Sequence, residues 1–251
     1  MIHIERKAQN AVKNVLSFIY FSGNICNMYK IDHLLNANEE VGVIMKDFYM
    51  DLHIHIGRTA SGKPVKITGS KTLTLHTILQ CASSQKGLDM IGVIDCHSPE
   101  VLVEIEGLLK RGEMIELAEG GLRFQETTLL LGSEIEVYDS YCHGPIHVLA
   151  YFPTVEKMKA FSDWMSNHVK NISLSSQRIY VEGRALQQKV YEYDGLFVPA
   201  HVFTPFKSLY GKGVKRSLTE VFDPNYIDAI ELGLSSDTQM VRNIKELQQY
   251  P

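Results

Sequence analysis

His53 and His55 lie two residues apart, Asp95 and His97 repeat that spacing, Glu134 and Glu136 repeat it again, and His147 and His201 follow singly. Imidazole nitrogen and carboxylate oxygen are the donors that hold Zn²⁺, Mn²⁺ or Fe²⁺ without cysteine, and one carboxylate can bridge two ions that jointly activate a water. On a strand, residues at i and i+2 share a face, so one ion can take both His53 and His55. A lone pair of this kind also fits a solvated strand end. Repetition at the ends of successive strands is what singles it out. The candidate metal ligands are therefore His53, His55, His97, Glu134, His147 and His201, with Glu134 and Asp95 as the groups closest to the chemistry. His76, His143 and His168 fall in a helical stretch, a Tyr-Cys-His-Gly-Pro turn and a polar helix face, and read as surface or packing residues.

The elements that must position these groups follow from hydrophobic period. From about residue 47, short apolar runs alternate with amphipathic segments, the mark of an α/β fold built from βαβ units with a parallel sheet. Strands are predicted at 48–55, 90–95, 128–137, 146–152, 196–202 and 226–232. Helices are predicted at 74–86, closed by Gly87, from Pro99 to about Lys110 behind Ser98, at 155–170, at 183–191, and from Ser235 or Ser236 to about Tyr250. In a parallel arrangement the C-terminal strand ends converge on one mouth, which would gather the histidines and acids in one place.

Residues 1–44 stand outside that alternation. They read as an N-terminal extension, either a helical cap with a helix over 11–21 and a polar linker at 36–40, or a segment not native to the core; the metal-dependent domain spans 45–251. With 45% hydrophobic and 22% charged residues the composition is that of a globular chain, and the net charge of −4 excludes a globally basic nucleic-acid coat. Apolar runs are too short for a membrane span. Four scattered cysteines without a CxxC pair favour a reducing, cytoplasmic setting over a disulfide framework.

Taken together, Asp51-Leu52-His53-Ile54-His55, Val93-Ile94-Asp95-Cys96-His97, Gly132-Ser133-Glu134-Ile135-Glu136, Ile146-His147 and Pro199-Ala200-His201 resemble the successive metal motifs of the polymerase-and-histidinol-phosphatase (PHP) superfamily. The segments from Gly62 to Thr68, Gly87 to Pro99, Phe203 to Phe206 and Glu231 to Asp237 are similar to endonuclease Q, and the likeness covers about residues 46–250. The resemblance implies a distorted (β/α)₇ barrel, here incomplete at about six strands, and a centre of two divalent ions (Zn, Mn or Mg), three in a complete homologue. It implies that His53 and His55 hold one ion, Glu134 bridges, His147 and His201 hold a second, and His97 serves a third. Asp95 would be a neighbouring ligand or would orient an imidazole. Two departures stand out. The D-x-H motif that superfamily members place on the last strand does not follow Asp237, and the loop after His55 offers Arg58 and Ser61 in place of a histidine.

The implied activity is metal-assisted phosphodiester hydrolysis in DNA repair: nicking on the 5′ side of deaminated bases such as uracil and hypoxanthine, or at abasic sites. Damaged DNA is the implied partner, with a replication clamp in complete members and no membrane. Arg58, Lys63, Lys66, Lys71, Lys207, Lys212, Lys215 and Arg216 are the candidate phosphate contacts, and Tyr138, Tyr141 and Phe206 could receive an extruded base. The alternatives are a PHP-type phosphatase for small phosphomonoesters and a truncated, noncatalytic remnant.

Overall fold

A computed structural model describes residues 28–31, 46–234 and 236–250. The helix expected over 11–21 and the linker at 36–40 lie outside the described residues. Among the described residues nine strands hydrogen-bond into one sheet: β1 (Met28–Ile31), β2 (Lys46–Ile54), β3 (Met90–Val93), β4 (Ile115–Glu116), β5 (Leu122–Phe124), β6 (Thr127–Val137), β7 (Ile146–Phe152), β8 (Arg178–Ile179) and β9 (Leu196–Pro199). The sheet curls into a half-barrel, so the α/β class and the expected incomplete barrel stand.

The sheet is mixed, not parallel as expected. β2, β3 and β6 run parallel in that order, while β7 is antiparallel to both β6 and β9. The cause is the link over 138–145, shorter than the dozen or so residues that a parallel crossover needs. This reversal decides where His147 sits. It stands at the start of β7, opposite Glu136 at the end of β6. In a parallel β7 the same position would lie at the opposite end of the barrel.

Helices cover the outer face. Thr74 caps α1 (Leu75–Gln80), which runs into a π-helical turn over Cys81–Lys86 and closes on Gly87 at φ 62°. α2 (Pro99–Lys110) starts with Pro99 at its first position; Ser98 adopts the extended cap backbone without a capping hydrogen bond. α3 (Val155–Ser166) is capped by Thr154 and stops four residues short of the expected end, and α4 (Gly183–Glu192) matches its predicted span. Leu129, Leu131, Ile135 and Val137 of β6 pack outward against Val101, Ile105, Met158 and Phe161 in the main core. The opposite face carries a smaller cluster of Ile94, Leu130, Leu149, Tyr151, Leu196 and Val198, the floor of the half-barrel.

Beyond β9 the chain departs from expectation. The strand predicted at 226–232 is an extended but irregular segment: Asp228 N donates to Phe197 O, Glu231 N to Pro199 O, and Val202 N to Glu231 O. Pro199 has no N–H, so the ladder loses the bond that would make it regular. The predicted final helix reduces to α5 (Thr238–Arg242), capped by Asp237 in place of the expected serine, and a 3₁₀ turn at Lys245–Leu247. Five residues of helix are too few to be stable without tertiary packing.

A register shift between Asp51 and Ile54 marks a bulge in β2. It turns Leu52 onto the inner cluster and Ile54 onto the outer core, with His53 and His55 aimed into the half-barrel. Bulges re-aim side chains in this way. The Leu52 carbonyl accepts the Tyr151 hydroxyl across the interior at 2.6 Å. A Cβ on Gly92 would stand 2.4 Å from that carbonyl oxygen. Gly92→Ala is accordingly expected to lower stability by about 1–3 kcal/mol through overpacking, read as a lower urea midpoint at an unchanged slope.

Candidate metal centre

Glu134 lies on the central strand β6, facing inward, at 2% exposure. A buried carboxylate is costly unless it is paired and hydrogen-bonded. Here four imidazoles converge on it. His147 Nδ1 lies 2.9 Å from Oε1, His53 Nε2 3.4 Å and His201 Nε2 3.5 Å from the same oxygen, and His55 Nε2 3.4 Å from Oε2. Two ligand groups result, His53–His55–Glu134 and Glu134–His147–His201, sharing the carboxylate.

Behind the ligands stand two further acids. Asp95, fully buried, accepts Ile56 N at 2.7 Å and holds His55 Nδ1 at 3.1 Å. Glu231 holds His53 Nδ1 at 2.9 Å and accepts His201 N at 2.9 Å. A carboxylate on Nδ1 fixes the tautomer and leaves Nε2 as the free donor, the arrangement that orients metal-binding imidazoles. His201 Nδ1 meets Thr204 Oγ1 at 3.1 Å.

The electrostatics agree. Burial alone would lower the pKa of each imidazole, but Glu134 and Glu231 together raise His53 to about 10, and Asp95 with Glu134 raises His55. Glu134 and Glu136 likewise raise His147. Against a burial effect of opposite sign, His147, His201, His53 and His55 keep Glu134 well below the usual carboxylate range. The site thus favours positive charge on its nitrogens, proton or metal ion alike. His147 Nε2 is buried without a hydrogen-bond partner, 3.7 Å from Glu136 Oε2. A shared carboxylate, four nitrogens and an unpartnered buried ring nitrogen fit divalent cations.

Backbone conformation is forced at this place. His201 (φ 32°), Ser176 (φ 54°) and Lys207 (φ 54°) are left-handed, conformations that cost about 1–3 kcal/mol each and gather at functional sites. Gly233, at φ 80°, lets the chain pass His201: a Cβ there would stand 2.9 Å from the His201 Cβ.

Of the six expected ligands, five come together. His97 stands apart, fully buried, with Nδ1 on Ser133 Oγ at 2.9 Å and Nε2 near the Leu174 carbonyl at 3.3 Å, and burial lowers its pKa. Asp95 contacts the centre through His55. Lys66, expected to face DNA, instead faces the cluster: its Nζ lies 3.4 Å from Glu134 Oε2, 3.1 Å from His55 Nε2 and 2.7 Å from Ser176 Oγ. Lys63 pairs with Glu100 at 2.8 Å, Arg58 donates to the Gly62 carbonyl, and Lys207 pairs with Glu136 at 2.9 Å. Lys71 is exposed; Lys212 lies over the Phe206 ring, and the backbone amides of Lys215 and Arg216 bond to Glu220. His76 and His168 pack against Phe124 and Trp164, and His143 lies near Glu220.

Sequence reasoning gave Glu231, Ser175 and Ser176 no part in the site. Ser175 Oγ meets His55 Nδ1 at 3.0 Å, and Ser176 Oγ donates to Glu134 Oε2. Glu231 carried a signal, a lone acid inside the apolar run Ala229-Ile230-Glu231-Leu232; the serines sit in a polar loop and carried none.

No family model matches the chain. An uncharacterised protein of Bacillus subtilis, YqxK, is 61% identical over 207 residues, 82% of this chain and 54% of that protein. Among solved structures, the lesion-specific endonuclease PfuEndoQ of Pyrococcus furiosus matches with a TM-score of 0.64 at 28% identity, covering 80% of this chain and 46% of that one. Endonuclease Q in complex with a 27-mer duplex bearing an abasic lesion at its active site matches with a TM-score of 0.65 at 28% identity and the same coverage. The chain spans about half the length of these relatives.

Glu231→Gln removes the charge behind His53 and keeps the side-chain shape. It is expected to weaken Mn²⁺ binding about 10- to 100-fold, measured by isothermal titration calorimetry.

Proposed function

We propose that this chain, a relative of endonuclease Q in the PHP superfamily, is the metal-dependent phosphodiesterase region of a DNA-repair endonuclease. It would nick DNA on the 5′ side of deaminated bases such as uracil or hypoxanthine, or at abasic sites. The observation that carries this reading is the pair of His/Glu groups meeting on Glu134. A donor set of this kind, on a scaffold shared with a lesion-specific endonuclease, suits phosphodiester hydrolysis.

His53, His55 and Glu134 would hold one divalent cation, and Glu134, His147 and His201 a second. Bound there, such ions supply an activated water and neutralise charge on the phosphoryl oxygens, so no protein nucleophile is needed. The remaining residues keep the donors in place. Asp95 and Glu231 hold the Nδ1 sides of His55 and His53, so that the Nε2 atoms face Glu134. The acids behind the ligands are positioning residues. The apolar floor of Ile94, Leu149 and Tyr151 gives the strands a packed base beneath the centre. Basic side chains at the mouth, Lys207 among them, would meet phosphates. Neither the relatives nor the described residues support a replication clamp as partner.

The test is to incubate the purified chain with Mn²⁺ or Mg²⁺ and an end-labelled duplex carrying one deoxyuridine, one deoxyinosine or one abasic site. A nick on the 5′ side of the lesion, lost in Glu134→Gln, is the expected result. Intact DNA with hydrolysis of p-nitrophenyl phosphate would point to a small-molecule phosphatase, and intact substrates throughout to a noncatalytic remnant. Binding to the same duplex should weaken with salt by about 0.9 log units per log unit of salt for each phosphate contact. A flat response would remove the basic residues from the interface.

A further inference from the structure

The inner face of the sheet does not end at Glu134. β8 pairs in parallel with the end of β6, Arg178 opposite Glu136 and Ile179 opposite Val137. Val137 and Ile179 are buried in the outer core, so Glu136 and Arg178 share the other face, the one that carries Glu134. With strands about 4.8 Å apart and a rise of about 3.3 Å per residue, the Arg178 backbone stands roughly 8 Å from that of Glu134.

At this place the surface turns aromatic. The Arg178 guanidinium lies 4.6 Å from the centroid of Tyr138 and 5.5 Å from that of Tyr180, and Lys170 Nζ lies 5.9 Å from Tyr180. Arg178 Nη2 donates to the Tyr138 carbonyl at 2.5 Å, so a backbone oxygen meets the guanidinium at that point. Tyr138 is 37% exposed and Tyr180 52%. Tyrosines on the surface with a cation between them, the cation lying on the face that carries a candidate phosphodiester-cleaving centre, have the composition of a base-stacking platform: rings for the bases, charge for the backbone.

We infer that Tyr138, Arg178 and Tyr180 form a platform that stacks an unpaired base of the DNA strand whose phosphate is seated at the Glu134 centre. This rests on the nuclease reading above and adds to it where the neighbouring nucleotide goes. The occupant is a nucleobase because the rings offer π-faces to any base, and Arg178 and Lys170 complement the strand's charge. Lys207 pairs with Glu136, the residue opposite Arg178 in the sheet.

The test is fluorescence anisotropy of a fluorescein-labelled single-stranded oligonucleotide, and of the same strand in a duplex with one abasic site, in EDTA so that no cleavage intervenes. Tyr138→Ala and Tyr180→Ala should each weaken binding to the single strand about tenfold, within the range of one lost stacking contact. Tyr180→Phe, which keeps the ring, should bind like the wild type. Arg178→Ala should weaken binding and reduce the salt slope by about one. Tyr191→Ala removes another exposed tyrosine, on α4 and edge-on to Tyr226, and should change nothing. Thermal unfolding of each variant separates lost binding from lost fold. Two results would overturn the platform: folded Tyr138→Ala and Tyr180→Ala binding like a wild type that itself binds, or Tyr180→Phe losing as much as Tyr180→Ala. A wild type that binds neither oligonucleotide would also overturn the platform, while the nicking assay with Mn²⁺ or Mg²⁺ decides the nuclease reading separately.

Discussion

One buried carboxylate organises this molecule. Glu134 sits on the central strand at 2% exposure, and ring nitrogens from β2, from the start of β7 and from just beyond β9 reach it within 3.5 Å. A carboxylate in that position is tolerated only if positive charge and hydrogen-bond donors surround it. The half-barrel meets that demand by bringing separate strand ends to one point. The bulge in β2, the reversal of β7 and the left-handed turn at His201 each deliver a histidine to Glu134. Without any of them the strands could still pair, but the cluster would not close.

A second layer of acids makes the first layer specific. Asp95 and Glu231 grip His55 and His53 from behind, and Glu136 lies near the far side of His147. Lys66 and Lys207 complete the arrangement, the first against Glu134 and the second against Glu136. Burial raises the cost of each charge and also strengthens the attraction between opposite charges. His147 and Lys207 hold Glu136 at about 2 despite partial burial. Fixed donors on a packed apolar floor are what a hydrolytic centre requires, because the geometry is set before a substrate arrives.

Much of this was legible in the sequence, and the gaps have physical causes. The period-two spacing of His53 and His55 and the acid pair at Glu134 and Glu136 announced their strands and faces, since alternation is local. Strand direction is not local. The alternation of strands and helices predicts a parallel β7, yet His147 reaches the mouth because a short link turns the strand back. Proline at 199 was visible, but its effect on the segment at 226–232 depended on which strand lay beside it. Lys66 looked like an exposed phosphate contact because a lysine in a polar loop usually is one; the fold of the loop over 57–71 turns it toward Glu134. Glu231 is set by partners 178 and 30 residues away in the chain, which no window along the sequence can contain.

The central claim is that Glu134 bridges two cations held by histidines on either side. Anomalous scattering from crystals soaked in Mn²⁺ tests it most directly. The account predicts two peaks flanking the Glu134 carboxylate, about 3.5–4 Å apart, one against His53 and His55 and the other against His147 and His201. A single peak elsewhere, or crystals that take up no ion at these five residues, would contradict it.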